Sequence, residues 1–261
     1  CDQVLIYAPL HRLTALVDST AAAQLGAALR GSAPVSGALR SLAEALAEPA
    51  ARPAPRSGRL DRPLFLGLIP TRGCNMACRY CGFPAPSGGQ EVMPLEAARL
   101  ALEAYLQLTR QSGLGQADIQ FFGGEPFAAP RVIDFSAVVA RQRAAELGVD
   151  LRLEATTNGL FSAERARWIA AHFDAIVLSL DGPPEIQDRQ RPGKHGGEAS
   201  AVVMRSARIL SQGSLELVLR ACVTAESVAS LASSAAWFAE EFGPTAVCFE
   251  ALVPSPLSKA A

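Results

Sequence analysis

The chain has 261 residues, of which 49% are hydrophobic and 19% are charged, and this composition excludes a disordered, highly charged tail protein. Lys and Arg total 24 and Asp and Glu total 25, so the formal net charge of −1 argues against nucleic acid as the main partner, because phosphates require a basic face. No apolar run reaches the roughly 18 residues of a membrane-spanning helix, so we expect no membrane partner. The first residues also lack the basic and apolar regions of a secretory signal.

The first 60 residues differ in pattern from the rest and predict a small separate segment. Residues 4–7 and 13–17 are short β-type runs that predict a hairpin. Two alanine-rich helices are predicted after it, at residues 19–29 and 37–47. The stretch 48–58 is rich in Pro, Ala and Arg without apolar periodicity, which is typical of a linker. We therefore predict two domains, residues 1–60 and 61–261.

Beyond the linker, short apolar runs alternate with longer helical stretches. Six strands are predicted, at residues 64–69, 118–122, 151–156, 175–180, 215–223 and 246–252. Five helices lie between them, at residues 94–111, 130–147, 163–172, 198–212 and 227–242. Strand–helix repetition produces an open parallel sheet or a barrel, and six units are too few to close an eight-unit barrel. The sequence therefore predicts an α/β fold, a partial (β/α)6 TIM-like barrel preceded by a small hairpin and helices.

Four polar, glycine-rich turns follow the first four predicted strands of this barrel. They are residues 71–81, 123–126, 157–159 and 179–182. The carboxyl ends of parallel strands meet at one rim, where ligands bind in such folds. Any α/β protein needs turn residues at strand ends, but four such turns together with a cysteine cluster favour a functional site.

The cysteine cluster has the spacing Cys-x-x-x-Cys-x-x-Cys, formed by Cys74, Cys78 and Cys81. Three thiolates on one loop can hold three corners of a cubane iron–sulfur cluster and leave the fourth iron open for a reacting ligand. A structural zinc site requires four N or S ligands, and no further Cys or His lies nearby in sequence. The other cysteines are scattered, which argues against a secreted disulfide scaffold and indicates a reducing compartment, the cytoplasm. Cys222, inside a predicted strand, is interpreted as a small core residue.

The cysteine loop, with the aromatic Tyr80 before its last cysteine, resembles the signature loop of the radical S-adenosylmethionine (SAM) enzymes. The Gly-Gly-Glu-Pro sequence at residues 123–126 resembles the next motif of that family, and the resemblance covers about residues 63–256. It implies that the three clustered cysteines bind a [4Fe–4S] cluster whose open iron binds the methionine part of SAM. The implied activity is cleavage of SAM, driven by an external electron donor, to methionine and a 5′-deoxyadenosyl radical that abstracts hydrogen from a substrate.

The same motif suggests how the methionine part of the cofactor is held. Gly123 and Gly124 lack a Cβ, so their backbone can approach a ligand closely. With the Glu125 carboxylate, their backbone groups can accept hydrogen bonds from the cofactor's ammonium, and such charge-assisted contacts are strong and orienting.

Other predicted cofactor contacts come from the later strand ends. Asn158 and Ser179 are placed to reach the ribose or the carboxylate of SAM, as similar positions do in the family. Arg220 would be an isolated charge in an apolar strand, which is costly unless it is paired with a ligand carboxylate or with an acidic side chain such as Glu250. Tyr80 is expected either to lie against the adenine or to serve in packing.

Residues 179–192 are similar to the corresponding region of anaerobic sulfatase-maturating enzymes and related peptide maturases. This resemblance implies a peptide or protein substrate, modified for example by cross-linking, thioether formation, epimerisation or oxidation. The first 60 residues would help to dock the peptide by strand addition to the hairpin. The alternatives are a radical SAM enzyme acting on a small molecule and a non-catalytic iron–sulfur scaffold, although the motif at residues 123–126 argues against a scaffold.

Two features near the end of the chain complete these expectations. Residues 182–197 are rich in Gly and Pro and predict a long loop above the rim, either a lid or an ordinary surface loop. In the maturases a cysteine-rich SPASM or twitch extension usually follows the core and holds auxiliary clusters. No such cysteine cluster follows the sixth predicted strand here, which is expected either of a truncated chain or of a protein that lacks the extension.

Overall fold

The computed structural model describes residues 3–8, 11, 13–35, 37–49, 63–83, 91–194 and 196–252. The chain divides into two compact units, residues 1–58 and 59–261. From residue 50 onward the predicted linker lies outside the described residues. In the described part, no helix combines the length and the hydropathy needed to cross a membrane.

The first unit contains the predicted hairpin and both predicted helices. Strands β1 (Gln3–Ala8) and β2 (Leu13–Asp18) pair antiparallel. Helix α1 (Ser19–Leu29) starts directly after β2, because the Asp18 carboxylate accepts a hydrogen bond of 2.7 Å from the Ala21 N–H and so caps the helix. Helix α2 (Ala38–Ala47) follows.

The second unit is a parallel six-stranded sheet in which spatial order follows chain order. Its strands are β3 (Leu66–Leu68), β4 (Gln116–Phe121), β5 (Asp150–Thr157), β6 (Ala175–Ser179), β7 (Glu216–Val223) and β8 (Ala246–Ala251). Its helices are α3 (Leu95–Gln111), α4 (Pro130–Leu147), α5 (Ala163–His172), α6 (Pro184–Gln190), α7 (Ser200–Leu210) and α8 (Leu231–Phe242). All six predicted strands and the partial TIM-like barrel are confirmed.

The two faces of this sheet differ in burial. In β4, Ile119 and Phe121 are fully buried, whereas Asp118 and Gln120, which alternate with them, are half-buried. Because side chains alternate between the two faces of a strand, one face packs against the helices and the other stays accessible. The buried face forms the main core with side chains of the helices, including Leu102, Leu106, Ile133, Val203, Leu210 and Phe238. The accessible face is where polar side chains of the sheet are available to ligands.

Helix α6 lies where the sequence predicted a long loop, so that prediction is wrong over Pro184–Gln190. The prolines at positions 183 and 184 suggested a loop. Proline is nevertheless favourable at the first position of a helix, because its missing N–H would have no helical partner there. Pro184 occupies this first turn, and the prolines therefore mark the start of α6 rather than the absence of structure.

Candidate active site

The cysteine loop follows β3 and places its three thiols around one cavity. Cys74, Cys78 and Cys81 all line this cavity, which has a volume of about 470 Å³. Cys74 and Cys78 are half-buried and Cys81 is exposed. The Met76 N–H points at Cys74 Sγ over 3.4 Å, so a backbone dipole is available to a thiolate at that position.

This arrangement fits an iron–sulfur cluster better than a single metal ion. Within the described ranges, no three His, Cys, Asp or Glu side chains converge closely enough to hold one ion. A cubane is bound at separate corners, so its ligands surround it rather than meet at a point. Burial raises the pKa of Cys78 to about 11, although the positive charge of Arg191 opposes the rise. The free thiol is therefore protonated at neutral pH, and binding of a metal would release its proton.

The Gly-Gly-Glu-Pro segment after β4 packs directly against the cysteine loop. The Gly124 N–H donates to Thr71 O at 3.2 Å, and the Glu125 N–H donates to Gly73 O at 2.8 Å. A Cβ on Gly124 would lie less than 3.0 Å from carbonyl oxygens of this loop, and Gly123 has a φ of 129°, which other residues rarely adopt. Both glycines line the cavity, but the space beside Gly124 is filled by the chain's own backbone, and the space beside Gly123 by the Ile69 side chain and a carbonyl oxygen. Their contact with the cofactor stays a prediction.

Glu125 is enclosed by the protein and is not among the residues that line the cavity. It is 1% exposed, and its carboxylate accepts hydrogen bonds from Thr157 Oγ1 at 2.8 Å, Asn158 N at 2.7 Å and Phe127 N at 3.1 Å. Burial raises the pKa of this carboxyl group, and the three donors oppose the rise. Glu125 thus ties the end of β4 to the end of β5, and its predicted contact with the cofactor's ammonium stays a prediction.

Asn158 connects the end of β5 to the cysteine loop. Its Nδ2 donates to Asn75 Oδ1 at 2.8 Å and lies 3.6 Å from Cys74 Sγ, and its Oδ1 accepts from the Leu160 N–H at 2.8 Å. Asn158 lines the cavity, as expected of a ligand-binding residue. Its amide atoms already have protein partners, so the structure gives it a role in positioning the loop that carries Cys74.

Ser179, the last residue of β6, is paired with Arg220 within β7, and both line the cavity. Arg220 Nη2 donates to Glu250 Oε2 at 2.5 Å. Of the two partners considered for Arg220, the acidic side chain is therefore the one present. The side chains of this ion pair are 40% and 43% exposed, so the pair is weak and can be exchanged for a ligand carboxylate.

Tyr80 is held by its hydroxyl group and is not among the cavity-lining residues. Its Oη donates to Asp181 Oδ2 at 2.6 Å and accepts from Arg191 Nη1 at 2.6 Å. Burial raises the pKa of Tyr80, so the hydroxyl keeps the proton that it donates. Of the two expected roles, this geometry favours packing over contact with adenine. The aromatic side chains that do line the cavity are Phe83 and Phe122.

Residues 190–194, which begin at the last residue of α6, form a support for the cysteine loop rather than a lid. They run antiparallel to residues 75–79, with a β-bridge between Met76 and Gly193. Three backbone hydrogen bonds of 2.9–3.0 Å join the two segments, namely Arg79 N to Gln190 O, Ala77 N to Pro192 O and Lys194 N to Asn75 O. A lid has to move away from the site, and this segment is fixed to the loop that carries the predicted ligands.

Six residues that line the cavity were not predicted as site residues: Phe83, Phe122, Thr156, Thr157, Arg191 and Cys222. The interpretation of Cys222 as a core residue is wrong, because β7 alternates and Cys222 lies on the accessible face with Arg220. Their spacing of two residues was the signal for a shared face. Thr157 is the residue before the predicted Asn158. Arg191 lies within the resemblance to the maturases, but no local pattern indicates which way its side chain points.

Two curated relatives illustrate the range of enzymes that this chain is similar to. The serine-type anaerobic sulfatase-maturating enzyme of Klebsiella aerogenes is 30% identical over 163 residues, which cover 61% of this chain and 40% of that protein. The GTP 3′,8-cyclase of Synechococcus sp. is 38% identical over 140 residues, which cover 52% of this chain and 37% of that protein. The chain thus spans less than half the length of either relative.

Two solved structures share the fold. The structure of anSMEcpe with bound AdoMet and Kp18Cys peptide has a TM-score of 0.63 and 23% identity, over 75% of this chain and 53% of that one. The structure of Streptococcus suis SuiB has a TM-score of 0.57 and 15% identity, over 99% of this chain and 63% of that one. At these identities the likeness concerns the fold alone.

The sequence model of one family matches the part of the chain that forms the site. The Radical SAM superfamily model matches residues 68–223, which is more than half of the chain and includes the cysteine loop and the ends of β4 to β7. Enzymes of this superfamily use a [4Fe–4S] cluster and SAM. The chain belongs to the Radical SAM superfamily.

Proposed function

We propose that this chain carries the catalytic core of an enzyme that abstracts a hydrogen atom from a peptide or protein and thereby modifies one of its residues. The observation that supports this most is the convergence of three cysteines, two glycines and the ends of β5 to β7 on one cavity. We assign the cluster ligands to Cys74, Cys78 and Cys81. When bound and reduced by one electron, the cluster and SAM together supply the 5′-deoxyadenosyl radical that removes the hydrogen atom.

The residues around the cavity hold and orient this chemistry. Glu125 fixes the end of β4 against β5, and Asn158 fixes the loop that carries Cys74. Ser179 and Arg220 offer a hydroxyl and a guanidinium to a carboxylate in the cavity. We propose that these donors bind the cofactor, and that the free thiols of the site require the reducing conditions of the cytoplasm.

A peptide substrate is supported by an exposed apolar face on the hairpin of the first unit. Leu5 and Tyr7 in β1 and Leu16 in β2 lie on this face and are 61%, 71% and 59% exposed. Both strands pair only with each other among the described residues, so each has an edge to which a peptide strand can add. We propose that this hairpin docks part of the substrate peptide. Deleting residues 1–18 should then weaken peptide binding, and unchanged affinity would remove this part of the proposal.

Formation of 5′-deoxyadenosine tests the core of the proposal. The chain is reconstituted anaerobically with iron and sulfide, reduced with dithionite and supplied with SAM. We expect 5′-deoxyadenosine and methionine in equal amounts from the wild type, and neither product from Cys78→Ala. A reconstituted wild type that forms no 5′-deoxyadenosine would refute the proposed activity.

The similarity to a GTP 3′,8-cyclase supports a second candidate, an enzyme that acts on a small molecule. The two candidates differ in which added compound accelerates the consumption of SAM. The Kp18Cys peptide and GTP are therefore compared as additions to the same reconstituted protein. Stimulation by the peptide alone favours a peptide substrate, and stimulation by GTP alone favours the second candidate.

A further inference from the structure

Arg191 places a buried positive charge on the wall of the cavity that the three cysteines line. Arg191 is 8% exposed, and it lines the cavity together with Cys78. A buried cation is costly unless anions or hydrogen-bond acceptors compensate it. If groups of the chain compensate the charge fully, it stabilises the fold alone. If they do not, it is available to an anion inside the cavity.

The chain compensates this charge incompletely. Arg191 Nη1 donates to the neutral Tyr80 Oη at 2.6 Å and forms an ion pair with the buried Asp181, whose Oδ1 lies 3.7 Å away, too far for a hydrogen bond. Asp181 already accepts hydrogen bonds from Tyr80 Oη, Gln190 Nε2 and Cys222 N. Arg191 Nε is buried and has no hydrogen-bond partner in the described part of the chain. The guanidinium therefore keeps a spare donor and part of its charge.

The backbone fixes Arg191 against the cysteine loop. The carbonyl groups of its two neighbours, Gln190 and Pro192, accept hydrogen bonds of 3.0 and 2.9 Å from Arg79 N and Ala77 N. The loop that carries the cysteines and the residue that carries the cation are thus parts of one paired segment. Such a preorganised charge acts on a neighbouring group without a cost of reorganisation.

A cluster bound by three thiolates is the anion that best suits this cation. Three thiolates carry three negative charges and the oxidised [4Fe–4S] core carries two positive ones, so the whole is an anion, and one-electron reduction adds a further negative charge. A nearby cation stabilises the more negative state more, because the Coulomb energy grows with charge. We infer that Arg191 raises the reduction potential of the cluster and so makes its reduction easier. This inference rests on the proposed function, since it requires the three cysteines to be the ligands.

The chemistry that Arg191 assists is electron transfer alone. One electron enters from an external low-potential donor, which is oxidised by one electron. No bond forms or breaks at Arg191, and its guanidinium stays protonated throughout.

The reduction potential in the absence of SAM tests the inference. The wild type, Arg191→Gln, Arg191→Lys and Arg205→Gln are each reconstituted with iron and sulfide, and the reduced cluster is measured by electron paramagnetic resonance during a redox titration with dithionite. At a fixed potential we expect Arg191→Gln to lower the ratio of reduced to oxidised cluster at least tenfold, which is about 59 mV for one electron. Arg191→Lys keeps the charge and should change this ratio much less. Arg205, an exposed arginine bonded to Phe161 O, is the matched control and should leave it unchanged.

Each outcome bears on the inference. An unchanged ratio in Arg191→Gln overturns it, as does a potential that stays constant while the binding of SAM weakens, because the charge would then serve the cofactor's carboxylate. Loss of the cluster from Arg191→Gln but not from Arg191→Lys supports it, since both variants lose the guanidinium and only Lys keeps a positive charge that can stabilise the anionic cluster. Loss from both overturns it in favour of a structural role. A wild type that takes up no cluster refutes the proposed function instead.

Discussion

The cavity has a β4–β5 wall and a β7–β8 wall, and the residues that line or adjoin these two walls differ in character. At the ends of β4 and β5, Glu125, Thr157 and Asn158 are buried and hydrogen-bonded to one another. In β7 and β8, Arg220 and Glu250 form a half-exposed ion pair. A buried and satisfied network is costly to rearrange, whereas an exposed pair contributes about 0–1 kcal/mol. We therefore expect the first wall to keep its geometry when a ligand binds, whereas the second can rearrange.

The largest effect that we expect is the loss of the cluster when a cysteine of the loop is replaced, in contrast to a cysteine of the β7 wall. Cys78→Ala should abolish the brown chromophore of the reconstituted protein, because a cluster with three protein ligands loses one of them. Cys222→Ala, which changes a thiol on the β7 wall of the same cavity, should leave it intact. Absorbance and iron content measure both variants. Bleaching by Cys222→Ala would contradict the assignment of the ligands.

The next effect concerns the buried wall. Glu125→Ala should lower the free energy of unfolding by about 3–5 kcal/mol, because three buried donors lose their acceptor. Glu250→Ala removes a carboxylate from the exposed wall and should cost less than about 1 kcal/mol. Urea unfolding of the two variants gives both values. Equal losses would mean that the two walls do not differ as their burial indicates.

A smaller effect is expected at the contact between β4 and the cysteine loop. Gly124→Ala should lower the free energy of unfolding by about 1–3 kcal/mol and reduce the iron content, since the added Cβ overlaps with carbonyl oxygens of the loop. Gly213→Ala is the matched control, because no atom lies within 4 Å of its added Cβ. Normal stability and iron content in Gly124→Ala would show that the loop can move to make room.

The smallest effect concerns the ion pair itself. A double-mutant cycle over Arg220→Ala and Glu250→Ala should give a coupling free energy of about 0.5 kcal/mol. The coupling should fall further in high salt, because half-exposed charges are screened. Unfolding measurements at two salt concentrations test this. A coupling of several kcal/mol, independent of salt, would place the pair among the rigid parts of the site.

The fold and the cysteine ligand candidates could be predicted from the sequence because their signals are local. Each strand is an apolar run between helical stretches, and Cys74, Cys78 and Cys81 lie within eight consecutive residues. Three thiols this close along the chain stay close in space whatever the fold, so their spacing alone indicates a shared metal cluster.

The hydrogen bonds of the site could not be predicted, because they join residues that are distant along the chain. The Tyr80 hydroxyl meets Arg191 across 111 positions, and Glu125 accepts from Thr157 across 32. Composition and periodicity contain no information about such pairs. For Cys222, the apolar run of β7 suggested the core, but only the register of the sheet shows which face each of its residues occupies.

The pairing of residues 190–194 with the cysteine loop has a consequence for how the protein matures. Main-chain hydrogen bonds join this segment to Asn75, Ala77 and Arg79 and use none of the cysteine side chains, so the cysteine loop has a structural support besides its predicted cluster. We expect iron and sulfide to be inserted into a finished fold and not to nucleate it. If oxygen destroyed the cluster, the cysteine loop would still be available to bind a new one. Repair would then require iron and sulfide rather than a newly synthesised chain.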